Sequence, residues 1–179
     1  MSISDRFTRG WIAGTCGGLL GGILGFLPYY IGISTMRLSD WSAILIFGRE
    51  QPFSLADQVY AVFVIAGSTG VTGIIFAFLL PLLTEENMYF KGWIIFLIPW
   101  WIIYLLTALA ETKGTLNLSV MTTLCDGIST TIIGLTAVYI YRLLEPKSLA
   151  TMLHSSGLAQ LDAKRIEIKV PVDNESDKD

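Results

Sequence analysis

Residues 59–83 read VYAVFVIAGSTGVTGIIFAFLLPLL and hold no charged side chain. A helix needs about 20 mostly apolar residues to cross a hydrocarbon core, and this stretch exceeds that length. Its backbone must be helical there, because lipid satisfies no amide or carbonyl and the run is too long for a barrel strand of about 9–11 residues. Outward from it lie three stretches of the same character, 11–33, 93–110 and 118–141. Of the 12 Lys+Arg and 15 Asp+Glu in the chain, Asp126 alone falls inside one of the four. The 15% charged residues fall well below the roughly one quarter of a soluble domain, while 53% are apolar and the mean hydropathy is +0.59. The expected fold is an all-α integral membrane protein, a four-transmembrane-helix bundle occupying 11–144. Residues 1–10 are an N-terminal segment and 145–179 a flexible polar tail, partly disordered.

Several functions are excluded by composition. A net charge of -3 gives no reason to expect a nucleic-acid partner. His154, the only histidine, lies in the tail, so a bis-histidine haem inside the spans is impossible. Cys16 and Cys125 make no CxxC pair and are too few for a zinc or iron–sulfur centre. No Walker loop, GxSxG or HExxH occurs. No catalytic, cofactor-binding or metal site is expected. The first span is longer than a signal-peptide core of about 7–15 residues, which argues against a cleaved leader.

The connections 84–92 and 111–117 are short, so consecutive helices should be antiparallel neighbours. Gly114 is expected to stop the third span, and Thr115 or Asn117 to cap the fourth. The longer 34–58 connection carries a short interfacial helix, capped by Ser39 or Asp40, running through Trp41, Ile44, Leu45 and Phe47 and ending near Gly48. The same segment packed as a lid over the bundle end is the alternative. Ser54-Leu-Ala-Asp57 reads as a capping box opening the second span. Beyond Pro146, residues 148–162 suggest an amphipathic helix and 166–172 alternate like a strand, before an acidic end at 173–179.

Cations near the spans set the orientation. Arg6, Arg9, Lys91, Arg142 and Lys147 fall on one side, and Arg37, Arg49 and Lys113 on the other. The positive-inside rule then places both termini in the cytoplasm of a cell-membrane protein. Arg9-Gly-Trp-Ile12 and Lys91-Gly-Trp-Ile94 are two similar anchors at that interface.

Two features carry possible function. Gly10, Gly14, Gly18 and Gly22 recur every fourth residue, and Gly17, Gly21 and Gly25 form the adjacent row. Such rows let a neighbouring helix approach closely, where van der Waals contact drives association. Thr69, Gly73 and Ala77, joined by Ala66 and Gly70, form the matching row in the second span, so packing of span one on span two is expected, with dimerisation as the alternative. The second feature is Asp126, with Thr122, Thr123, Ser129 and Thr130 at three- and four-residue spacing and hence on its side of the helix. An intramembrane carboxylate faces inward because exposing it to lipid is costly. It either serves a transport path or holds helices together.

The basic residue before a glycine-rich first span, the loop with Asp40-Trp41, the Lys91-Gly-Trp93 start of span three and the Thr-rich fourth span resemble YqhR-type proteins. These are small four-span membrane proteins of spore-forming Firmicutes. The resemblance covers about residues 6–144. It implies a cell-membrane protein without an assigned reaction and transfers no functional residues. The tail after Glu145 is not part of that pattern.

The sequence therefore points to a non-enzymatic protein in the lipid bilayer, an assembly or accessory subunit acting through helix contacts with a membrane-protein partner. An oligomeric transporter or channel component with Asp126 lining the path is the alternative. The topology is tested by cysteine labelling from outside, which should reach a cysteine introduced at Gly114 and not one at Glu86; the reverse pattern inverts the orientation.

Overall fold

The computed structural model describes residues 5–82, 86–112, 115 and 118–145. By internal contacts the chain divides into Met1–Glu145 and Pro146–Asp179. The expected tail helix, strand-like stretch and acidic end lie outside the described residues, as do Lys113, Gly114 and Asn117.

Among the described residues every regular element is helical, and four helical stretches are long and apolar enough to cross a membrane: Arg6–Tyr30, Leu55–Leu82, Met88–Leu109 and Val120–Leu143. Helix α1 (Arg6–Leu24) begins earlier than the apolar run because Asp5 caps it, accepting from the Phe7 amide at 3.2 Å and the Thr8 amide at 2.8 Å. The Thr8 hydroxyl and amide hold the Asp5 carboxyl below its usual range. The first span is not one helix to Ile33. Pro28 has no amide hydrogen to continue the ladder, so α1 stops at Leu24 and Pro28 sits in the first turn of a separate short helix, α2 (Leu27–Tyr30).

Helix α3 (Leu38–Phe47) occupies the long connection and ends at Gly48, whose φ of 63° is the left-handed stop that favours glycine. Neither Ser39 nor Asp40 is its cap. The cap position is Arg37, and Asp40 lies inside the first turn, its carboxylate accepting from the Arg37 amide at 2.9 Å. Helix α4 (Leu55–Leu79) opens with the expected box, in which the Asp57 amide donates to the Ser54 hydroxyl at 3.2 Å and the Ser54 amide to the Asp57 carboxylate at 3.0 Å. It continues into a single tighter turn, Leu80–Leu82, through Pro81. Helix α5 (Met88–Leu109) carries Pro99 inside it. Helix α6 (Val120–Leu143) is capped by Ser119 and not by Thr115 or Asn117; the Ser119 hydroxyl accepts from the Thr122 amide at 3.1 Å.

The two glycine rows decide how these helices assemble. A Cβ placed on Gly10 would meet the Gly73 carbonyl at 2.5 Å, one on Gly14 would overlap the Thr69 carbonyl, and one on Gly18 would overlap the Thr69 hydroxyl. Gly22 faces Val62. The pairing runs backwards along α4 as it runs forwards along α1, so the two are antiparallel. The second row serves α6, where Gly17 meets Ile133 and Ala137, and Gly21 meets Ile133 and Ser129. Gly25 reaches α3 instead, at Leu38. α5 leans on α6 through Gly92 against Val138 and Gly134 against Phe96. The core forms where these helices meet, around Phe76, Phe96, Ile133, Val138 and Tyr141. Under α3 a second cluster gathers Met36, Trp41, Ala43, Ile44, Phe53 and Ala61. α3 therefore packs as a lid, while Leu45, Ile46 and Phe47 remain exposed on its other face.

This packing separates two glycines of identical chemistry. Gly14→Ala forces a methyl group into the α4 backbone and should destabilise by about 1–3 kcal/mol, read as thermal unfolding in detergent. Gly67 has nothing within 4 Å of an added Cβ, so Gly67→Ala should be neutral or stabilising. Equal tolerance of both would refute the close α1–α4 contact.

Candidate functional site

All five polar candidates of α6 lie on one helix, and four of them, Thr122, Asp126, Ser129 and Thr130, are buried, with Thr123 half-buried. The helix brings them to one side, but their hydroxyls do not converge on the carboxylate. Thr130 donates to the Asp126 backbone carbonyl at 2.9 Å, Ser129 to the Cys125 carbonyl at 3.0 Å and Thr123 to the Ser119 carbonyl at 3.4 Å. Such bonds to the preceding turn are how a hydroxyl inside an apolar helix satisfies itself without a partner. Thr122 is used at the helix start, where its hydroxyl accepts from the Thr35 amide at 3.0 Å and pairs with the Ser119 hydroxyl at 2.9 Å.

The group that does reach Asp126 comes from another helix. The Tyr104 hydroxyl of α5 donates to Asp126 Oδ2 at 2.8 Å. The Tyr104 ring is held from two sides, stacked on Trp41 of α3 at 4.4 Å and tilted against Trp100 of α5 at 4.7 Å. One chain of contacts, Trp41–Tyr104–Asp126, thus joins the lid to α5 and α6. Sequence spacing within the fourth span cannot reveal Tyr104. The available signal was its position as the lone phenol of 93–110, where Thr107 carries the other hydroxyl, since a buried phenol needs a hydrogen-bond partner.

Beside this chain the lid carries its own charges. Asp40 is fully buried and its Oδ2 accepts from Arg37 Nε at 3.0 Å and from Gln51 Nε2 at 2.9 Å, while Arg37 Nη1 donates to Gln58 Oε1 at 2.7 Å. The Arg37 guanidinium lies 4.4 Å from the Tyr29 ring centre. A buried ion pair is supported by further hydrogen bonds; Gln51 and Gln58 supply two here, while Asp40 Oδ1 is buried without a partner.

A cavity of about 130 Å³ opens between α3, α4, α5 and α6. Ser68, Thr69 and Thr72 of α4 line one wall; Phe96, Pro99, Trp100, Ile103 and Tyr104 of α5 line the opposite wall; Trp41 of α3 and Thr130 of α6 complete it. Thr69 and Thr72 spend their hydroxyl hydrogens on the Ile65 and Ser68 carbonyls, so that wall presents mainly methyl groups and oxygen lone pairs. Pro99, Trp100 and Tyr104 meet at this wall, whereas Trp101 points away and is 63% exposed.

Compared with known proteins, the chain matches no family model, no curated protein sequence and no solved structure.

If Tyr104 and Asp126 tie α5 to α6, their energies are coupled. A double-mutant cycle of Tyr104→Phe and Asp126→Ala should give a coupling of about 0.6–1.7 kcal/mol, the range of hydrogen bonds between membrane helices. Additive effects, read by thermal unfolding in detergent, would mean the bond contributes nothing to the assembly.

Proposed function

We propose that the chain is a non-enzymatic, multi-pass cell-membrane protein with both termini in the cytoplasm, acting as an assembly or accessory subunit through helix–helix contacts. Large apolar side chains exposed on every long helix support the membrane reading: Ile23 at 61%, Phe63 at 64%, Leu109 at 73% and Ile128 at 61%. A water-facing surface does not carry so much contiguous apolar area. The YqhR-like layout is consistent with this placement.

The observation that carries the accessory role is the unequal use of the helices. The glycine rows of α1, for which dimerisation was the alternative to packing on span two, are consumed inside the chain. In α5 only 17% of the most apolar window is buried, against 39–44% in the other three. α5 also leaves a groove against α4, whose walls run over about two turns each through Ile65–Thr72 and Phe96–Tyr104. Membrane helices associate through such small and hydroxyl-bearing rows; the space of about 130 Å³ between the walls admits a side chain or two of a helix laid against α5, and we assign that helix to a different membrane protein.

Asp126 favours a second reading, an oligomeric transporter or channel component with this carboxylate lining the path. Its burial with Thr122, Ser129 and Thr130 supports that role; its bond to Tyr104 and the self-satisfied hydroxyls support polar glue. Asp126→Asn separates them, since a conduit should fold normally and lose a growth or flux phenotype, whereas glue should keep it.

The accessory role is tested by placing photo-crosslinking side chains at Ser68 and Ile103, one on each wall, and at Ile23 as control, then measuring particle mass in mild detergent. The expected result is one defined second protein captured from both walls and not from Ile23, in a particle of matching mass. A particle made only of copies of this chain favours the conduit, and a monomer with only lipid in the groove overturns the accessory role.

A further inference from the structure

At the opposite end of the molecule from the lid, α1 begins beside the ends of α4 and α6. Arg9 lies one residue before the glycine row, and that row brings α1 so close to its neighbours that the guanidinium is drawn in with the backbone. Arg9 is only 5% exposed. Its guanidinium lies 4.8 Å from the Tyr141 ring centre, and Tyr141 is itself buried. Its Nε and Nη1 are buried without a hydrogen-bond partner. The nearest carboxylate, Glu145 Oε1, stands 3.7 Å from Nη1, beyond hydrogen-bonding distance, on a half-exposed side chain. Asp5, the other acid near this arginine, is engaged with the Phe7 and Thr8 amides.

A buried guanidinium with unfilled donors is expensive, because desolvation is repaid only when the remaining N–H groups are satisfied. Here the donors border space. Arg9 lines a cavity of about 120 Å³ together with Arg6, Ala77, Leu80, Pro81, Tyr141 and Glu145. That is roughly four times the ~30 Å³ share of a water molecule, room for a tetrahedral oxyanion. Arg6, Pro81 and Glu145 are exposed, so the cavity reaches the surface through them. An arginine fork matches two oxygens of a phosphate bidentately.

We propose that this pocket binds a single phosphate group, with Arg9 donating to it from its buried guanidinium, Arg6 adding charge at the mouth and Glu145 moving aside. Leu80 and Ala77 give the apolar border that an esterified phosphate would need. The phosphate comes either from a lipid headgroup, where the end of the bundle meets a leaflet, or from a soluble phosphate compound. Only the lipid source rests on the membrane reading.

The full chain, stripped of lipid in mild detergent, is titrated with phosphatidic acid and with diacylglycerol of the same tails, followed by native mass spectrometry. In parallel, thermal unfolding is read with inorganic phosphate against chloride at equal ionic strength. Phosphatidic acid binding in preference to diacylglycerol, weakened at least about tenfold by Arg9→Gln and unchanged by Arg49→Gln at the far end, identifies a lipid headgroup. An Arg9-dependent stabilisation by inorganic phosphate without that lipid preference identifies a soluble phosphate. Neither response, or responses indifferent to Arg9→Gln, overturns the proposal. Should Arg9→Gln not fold, Glu145→Gln decides: removing the competing carboxylate should tighten binding by roughly two- to fivefold, and unchanged or weaker binding overturns the site.

Discussion

Everything else in this fold depends on the approach of α1 to its neighbours at backbone distance. Two adjacent rows of glycine strip one broad face of α1 of side chains; α4 takes one row and α6 takes Gly17 and Gly21 of the other. Dispersion falls off steeply with distance, so a face without side chains is worth most when the partner's backbone fills it. The same contact fixes the antiparallel order, because Gly10 meets Gly73, Gly14 meets Thr69, Gly18 meets Thr69 and Ala66, and Gly22 meets Val62, a reverse sequence along α4. No Cβ can be added along most of this seam, which leaves a single arrangement of the three helices.

That arrangement leaves α5 outside the tight seam. It touches α6 through Gly92 and Gly134 and α4 through Phe76 beside Gly92 and Phe96, and the cavity lies between α4 and α5 further along. What holds its far end is polar and aromatic contact: the Tyr104–Asp126 bond and the stacking of Tyr104 under Trp41. A hydrogen bond between helices is directional where hydrocarbon packing is not, so it specifies the rotation of α5 even if its energy is small. The lid is held likewise, by the hydrogen bonds that join Arg37, Asp40, Gln51 and Gln58.

The two ends of the molecule consequently differ. At the lid end the buried cation is answered, Arg37 by Asp40 and Gln58, although Asp40 Oδ1, the Ser39 hydroxyl and Trp41 Nε1 are buried without a partner. At the other end the close seam draws Arg9 inward without hydrogen-bond partners for two of its nitrogens, Glu145 standing 3.7 Å from Nη1. Burial imposed by packing elsewhere is a different origin for a buried charge than burial for its own pairing, and it leaves room for a ligand to complete the shell.

Much of this was legible in residue order alone. The near-absence of charge from 59–83 and its three counterparts, broken by Asp126 alone, announced four long apolar helices. The glycine spacing announced a close helix contact, Ser54 and Asp57 announced the start of α4, and Gly48 the end of α3, all because these are local rules read over one or two turns. Asp126 was visible as the lone charge in a span, and its hydroxyl neighbours as one helix face. Tertiary structure alone decided which surfaces met: that the glycine rows close on α4 and α6 within the chain, that Asp126 is answered by Tyr104 and not by Thr122 or Thr130, that Pro28 ends α1 rather than kinking it, and that Arg9 is buried. Those outcomes depend on how helices distant in sequence are rotated and how near they come, and periodicity along one helix specifies its own face without naming the side chain that will stand opposite.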